Sequence, residues 1–204
     1  MVLSSCIGVS ADISVREDGS GRISLEYRVS RMVEALGRLD GNERWQTIPV
    51  GRADFERTLA RLPDMRLISF STREGTANGA ANRGDIINKA ELEFKNINAL
   101  LAFLDASGEH ASFVRENGTN RMAFTLLEAW DAAADEELLT LVRELSRGYE
   151  LRLSLSVTGT ASLQLTPEAV PAVQLVSPGK KVSLAIGMGE LLSLPGGLGV
   201  EFTW

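Results

Sequence analysis

Cysteine and histidine are almost missing from this chain of 204 residues, with one of each, Cys6 and His110. A single cysteine excludes an intramolecular disulfide, so packing alone must hold the core. A single histidine leaves little for a histidine-rich metal site or for histidine-based catalysis, and no metal or cofactor is expected. Basic residues are spread among acidic ones, and the formal net charge is −6. That balance lacks the basic footprint of a nucleic-acid binder or of a polybasic membrane patch. Long apolar runs are missing as well. The longest nearly uncharged stretch, Val182 to Val200, is broken by Gly187, Gly189, Pro195, Gly196, Gly197 and Gly199. A membrane-crossing helix needs about 20 consecutive apolar residues.

What is present is an ordinary globular balance, 44% hydrophobic and 24% charged, enough to bury a core in one domain. Ile7, Val9, Ala11, Ile13 and Val15 alternate with polar or small residues, and so do Ile23, Leu25, Tyr27 and Val29. That period of two marks half-buried strands. Asp18-Gly19-Ser20-Gly21 between them predicts an antiparallel hairpin.

Met32, Val33 and Leu36 predict a short helical segment, and Arg52 to Leu62 a helix that buries Phe55, Leu59 and Leu62. Met65 to Thr72 reads as a strand, and Glu74 to Asp85, rich in Gly, Ala and Asn, as a loop with almost nothing to bury. Ala90, Leu92 and Phe94 mark another strand, with Glu91 and Glu93 on its exposed face between Lys89 and Lys95. Asn96 is placed to cap a helix with the apolar stripe Ile97, Leu100, Leu101 and Leu104. Glu116-Asn117-Gly118-Thr119 signals a second hairpin. The sequon within it, Asn117 to Thr119, is read as a turn.

Asp131 and Asp135 favour a helix start, Leu138, Leu141, Val142 and Leu145 its buried face, and Gly148 its stop. From Tyr149 onward the pattern is mostly strand: Leu151 to Val157, Ala161 to Leu165 after Gly159, Val182 to Ile186, and Leu198 to Trp204. Pro167, Pro171 and Pro178 punctuate an irregular, edge-like section. The expected fold is therefore α+β: mainly antiparallel, strand-rich sheet with about three short packed helices. Residues 7–204 form one domain, and any sub-boundary within it falls near 148.

Catalytic constellations do not assemble. Glu109, His110 and Ser112 are too close in sequence to read as a triad, and no G-x-S-x-G elbow occurs. Gly187-Met188-Gly189 lacks the third glycine of a dinucleotide fingerprint. Asp135, Glu136 and Glu137 are the acids expected at a helix start, and Trp45, Trp130 and Trp204 are read as packing residues at element boundaries.

One address signal stands out. Leu3-Ser4-Ser5-Cys6 matches a bacterial lipobox, in which small side chains precede a cysteine whose thiol carries a diacylglyceryl group. Only Met1 and Val2 precede it here, so a signal peptide's basic and apolar segments are expected upstream. Residues 1–6 are then a lipobox remnant, and Cys6 is the lipid anchor. The alternative is a cytoplasmic protein that starts at Met1, with Cys6 an ordinary small residue opening a strand.

Taken in order, Cys6, the strands around Asp18-Gly19-Ser20-Gly21, the strand Leu151 to Val157 and the strand ending at Trp204 resemble the LppM-type bacterial lipoproteins. The Leu-Ser-Ser-Cys start is also similar to that of spirochaete envelope lipoproteins. The LppM resemblance implies an α+β domain at the cell envelope that binds lipid or glycolipid. The resemblance also implies a membrane-spanning segment after the last strand; none is expected here, which leaves Cys6 as the anchor. The expected function is a non-enzymatic envelope lipoprotein domain binding a lipid or other amphipathic ligand, membrane-bound through acylated Cys6. The alternative is a protein-interaction module in envelope assembly, working through a sheet edge or the Glu74 to Asp85 loop. An enzyme of unfamiliar type is the third reading.

Overall fold

A computed structural model describes residues 7–30, 51–75, 85–129, 140, 143–168 and 170–204. The lipobox match with Cys6, the helical segment at Met32, the tryptophans Trp45 and Trp130, and the acids Asp135 to Glu137 lie outside these residues. Most of the expected apolar face at Leu138 to Val142 does too.

The alternation at the start of the chain produces the first hairpin. β1 (Ile7–Val15) and β2 (Gly21–Val29) pair antiparallel from Ile7 opposite Val29 to Val15 opposite Gly21. Ala11, Ile13, Ile23 and Leu25 point inward and are buried, while Asp12, Ser14, Arg22 and Ser24 face solvent. In the turn Gly19 has φ +82°, in the left-handed region where a Cβ is disfavoured.

α1 (Arg52–Leu59) begins where the Asp54 carboxylate accepts from the Gly51 N–H at 3.1 Å. It delivers Phe55 into an aromatic cluster with Tyr27, Phe70 and Phe103, at ring-centroid distances of 6.3, 5.7 and 6.2 Å. β3 (Met65–Glu74) and β4 (Ile86–Phe94) follow, with a register shift between Leu67 and Ser69. Asn96 then caps α2 (Ile97–Leu104) as expected, accepting from the Ala99 N–H at 2.9 Å. The helix buries Ile97, Ala99, Leu100 and Phe103, leaving Leu101 and Leu104 only half-buried. Its apolar face is thus rotated toward Phe103, which reaches the Phe55 cluster.

β5 (Ala111–Glu116) and β6 (Thr119–Leu127) form the second hairpin through Asn117 and Gly118, at φ +51° and +81°. That pair of left-handed residues is the two-residue turn the Asn-Gly sequence selects. A helical turn at 143–145 ends before Gly148, whose φ of +84° matches the expected stop.

β7 (Glu150–Thr166) was expected as two strands and is one. Gly159 does not break it, because an extended backbone tolerates glycine. The length matters. Residues 151–156 pair with β1, while residues 162–166 pair with β10 (Leu198–Thr203). β7 therefore curls the structure from one half-sheet into the other. β8 (Gln174–Val176) and β9 (Gly179–Gly187) extend the first half beyond β7. β8 falls in the proline-punctuated section and forms an edge strand there, paired only with β9 among the described residues. α3 (Met188–Leu192) follows β9.

The strand order is β3-β4-β2-β1-β7-β10-β6-β5, with β9 on β7 and β8 on β9. One expectation needs correcting. The sheet is mixed, because β1 and β7 run parallel, and the chain is mostly β with the helices as small patches. Alternation within each strand reports which face is buried and is silent about the direction of its neighbour; the long crossover from β2 to β7 sets that. The inner faces meet in one core that includes Ile13, Leu92, Leu155, Leu184, Met122 and Phe202. The closing strand lies inside the sheet, between β6 and β7, and Trp204 exchanges backbone hydrogen bonds with Asn120 at 2.8 and 3.0 Å.

Candidate functional site

The outer face of the first half-sheet is a field of hydroxyls and charges, placed there by the same alternation that buries its apolar partners. Arg22, Glu91, Glu93 and Arg66 form a ladder across β2, β4 and β3, closed by Arg66 to Glu93 at 2.8 Å and Arg22 to Glu91 at 3.3 Å. Hydrogen bonding from Arg66 holds the Glu93 carboxyl below its usual range, with Arg22 and Arg16 adding to the effect. Lys95, the other flank of this acidic pair, turns instead to Asp64 at 3.2 Å. The pair at Glu91 and Glu93 is a solvated ion ladder with no paired-carboxylate chemistry to offer.

Across β1, β7 and β9 a second cluster forms. Asp12 accepts from Lys181 at 2.7 Å and from the buried Ser154 hydroxyl.

The most constrained polar arrangement lies where β1 and β7 begin and β2 ends. Asp85, just before β4, is 4% exposed. Its Oδ2 accepts from Arg28 Nε at 2.5 Å and its Oδ1 from the Tyr149 hydroxyl at 3.1 Å. The Arg28 guanidinium carbon lies 5.6 Å from the centroid of the Tyr149 ring. Beside this clasp runs an open groove of about 370 Å³, lined by Gly8, Val9, Ser10, Glu26, Arg28, Gly148, Tyr149, Glu150 and Arg152. Another open groove, of about 500 Å³, lies on the second half-sheet near Thr125, Leu127 and Gly199.

Asp85 corrects the reading of Glu74 to Asp85 as a stretch with almost nothing to bury. Glu74 ends β3, Asp85 is in the clasp, and the Gly75 N–H donates to the Asp85 carbonyl at 2.6 Å. Residues 76–84 lie outside the described structure. Nothing in the sequence marked Arg28, Asp85 and Tyr149 as neighbours, since each reads locally as a strand-face or loop residue.

The other singled-out residues do not converge. The His110 side chain is 41% exposed, with Nδ1 3.7 Å from the Glu128 carboxylate, and Glu109 and Ser112 are exposed beside it. The carboxylate that does organise this loop is Asp105. It is held below its ordinary range first by the Ser107 hydroxyl and then by the His110 and Ala111 N–H groups. Gly187 and Gly189 sit at the start of α3, where a Cβ on Gly189 would meet Ser146 Oγ at 2.7 Å, so close packing explains that glycine. Trp204 packs against Phe113 at 6.0 Å. Among the described residues no group of three or more His, Cys, Asp or Glu side chains could hold a metal ion. No helix among them is long and apolar enough to cross a membrane.

No family model matches the chain, and no curated protein matches it in sequence. Among solved structures it is similar to the folded domain of Mycobacterium tuberculosis LppM, determined by NMR. The identity is 12%, the match covers 97% of this chain and 88% of that chain, and the TM-score is 0.43.

Proposed function

We propose that this chain is a non-enzymatic cell-envelope domain tethered to a membrane through an acylated Cys6. The observation that carries the reading is the position of Leu3-Ser4-Ser5-Cys6 directly before Ile7, the first residue of β1. β1 lies in the interior of the sheet, between β2 and β7. An anchor at Cys6 would pull on the rigid part of the domain with no linker between. Several acyl chains on one cysteine, at about 0.8 kcal/mol per buried CH₂, suffice for stable attachment.

The test is metabolic labelling with a clickable fatty acid in cells carrying the native upstream codons. Labelling of the wild type that is lost in Cys6→Ser supports the anchor. Equal labelling of both, or of neither, sinks it.

For what the domain engages once tethered, docking of other proteins is the better-supported reading. Among the described residues, β3, β5 and β8 each have one edge with no neighbouring strand. Among the described residues the exposed large hydrophobics lie on these strands: Ile68 on β3, Val114 on β5, and Leu175 and Val176 on β8. Open edges carrying apolar side chains are the substrate of strand addition by a partner. A lipid held in an interior cavity has less behind it, since the depressions beside Arg28 and near Thr125 are both open grooves among the described residues. Organic extraction of purified protein followed by mass spectrometry separates the readings, a stoichiometric co-purifying lipid restoring the second.

A further inference from the structure

Strand register places four charged residues around a trough over β1. Arg28 on β2 stands opposite Gly8, whose position a Cβ would fill 3.4 Å from the Glu150 carbonyl of β7. Two residues along, Glu26 and Arg152 flank Ser10 from either side. Gly8 has no side chain and Ser10 a small one, so the trough stays open.

Most of the charge here is already matched. Glu26 receives Lys89 at 2.5 Å. Glu150 receives both Nε and Nη2 of Arg152, at 2.7 and 2.5 Å. Arg28 differs. Its Nε is committed to Asp85, while its two Nη groups have no hydrogen-bond partner among the described residues. Nor is this guanidinium free to swing away, because Asp85 is buried and bonded to Tyr149, and the Tyr149 ring lies under the cation.

We propose that this groove takes one singly charged oxyanion, a carboxylate or a phosphodiester, gripped by the Nη edge of Arg28. A guanidinium held through Nε still offers two parallel N–H donors, which match two oxygens of such a group. Fixing the side chain beforehand lowers the rotamer entropy lost on binding. The single charge follows from the balance. Lys89, Arg152 and Arg28 itself offset Glu26, Glu150 and Asp85, so the groove has no net positive charge with which to hold a second negative charge beside three carboxylates. A clasp that only ties β2, β4 and β7 together would show no response to anions, and that difference is measurable.

Isotope-labelled full chain is titrated with dimethyl phosphate and, separately, with acetate at constant ionic strength, following the Gly8 amide and the Arg28 Nε–H by NMR. We expect saturable shifts at both positions. Arg28→Lys keeps the charge and loses the fork, and should weaken binding about tenfold. Gly8→Val projects into the trough from the position directly opposite Arg28 and keeps the guanidinium itself. A Cβ there makes ordinary contacts, at 3.4 Å to Glu150 and 3.6 Å to the Tyr149 ring, so the variant should fold and fail to bind.

Phosphatidylglycerol vesicles in place of the solutes identify the source. Vesicle binding that Arg28→Lys removes assigns a lipid headgroup, and a response to the solutes alone assigns a free anion. No saturable shift with any probe, or shifts unchanged in Arg28→Lys and Gly8→Val, overturns the site.

Discussion

Lys181 and Asp12 lie 169 residues apart in sequence, yet Nζ of one is 2.7 Å from Oδ1 of the other. The ion pair spans β7 from β9 to β1, and the Ser154 hydroxyl joins it midway by donating to the same carboxylate oxygen. It ties the last third of the chain to its first strand on the solvent-facing side of the sheet.

Burial by itself would raise the Asp12 carboxyl, but hydrogen bonds from Lys181 and Ser154, together with the Lys181 charge, bring it below its usual range. A depressed carboxyl stabilises the fold above the unfolded-state value, near 4, and that contribution disappears as pH falls through the lower folded value. Both side chains are more than half exposed, so the pair is worth at most about 1 kcal/mol. A double-mutant cycle with Asp12→Asn and Lys181→Met should give a coupling of that size at pH 7. It should shrink in high salt and be lost as pH falls below the unfolded-state value through the lower folded-state one. Coupling that persists unchanged in acid would contradict the assignment.

The Asp85 clasp should behave differently because its carboxylate is buried. Asp85→Ala leaves the Tyr149 hydroxyl and the Arg28 Nε without the acceptor both now share. Breaking a buried pair costs about 3–5 kcal/mol, and the partial exposure of Arg28, 35%, lowers the expectation to about 2–3 kcal/mol. Asp85→Asn keeps one acceptor and should cost less. Urea denaturation checks both, and equal stability of Asp85→Ala and wild type would show that the clasp contributes nothing.

How much of this was legible beforehand follows the range of the interactions involved. Alternation placed β1, β2, β4 and β10, because a half-buried strand writes its two faces directly into adjacent residues. Asn96 and the Asn117-Gly118 turn were equally local. Phe103 was missed in the apolar stripe of α2 because its burial depends on Phe55, which comes from a different helix. The parallel pairing of β1 with β7, and the single long β7, depend on which strand becomes whose neighbour. The groove beside Arg28 was invisible for the same reason. Its members come from three strands and a loop end, and none has a neighbour in sequence that hints at its partner.

Two glycines give opposite expectations from one substitution. A Cβ on Gly21 would come within 2.0 Å of the Ser14 carbonyl oxygen and 2.4 Å of the Phe94 ring. Gly21→Ala must therefore push backbone or a fully buried ring aside, and overpacking of this kind costs about 1–3 kcal/mol or more. At Gly159, on the exposed bend of β7, nothing lies within 4 Å of the added Cβ. Gly159→Ala should be neutral or stabilise by up to about 1 kcal/mol through the unfolded chain. Thermal unfolding of the two variants side by side should move the midpoint strongly down for Gly21→Ala and little or upward for Gly159→Ala.

The stretch between β3 and β4 supports a deletion experiment whose limits the clasp defines. The sequence there, rich in glycine, alanine and asparagine, offers little apolar surface, so replacing residues 76–84 with a short Gly-Ser linker should leave the melting temperature within a few degrees. The replacement has to stop short of Gly75 and Asp85. The Gly75 N–H bonds the Asp85 carbonyl at 2.6 Å, and the Asp85 side chain holds Arg28 and Tyr149. Extending the linker by one residue, through Asp85, removes the acceptor shared by two buried or half-buried donors, and should lower the midpoint by roughly 5–10 °C at about 2–3 kcal/mol. Differential scanning calorimetry on the two replacements isolates that single residue. If the shorter replacement already abolishes cooperative unfolding, residues 76–84 contribute to the core and the low-burial reading of their composition is wrong. If the longer one unfolds at the same temperature as the shorter, Asp85 is dispensable and the clasp does not stabilise this end of the sheet.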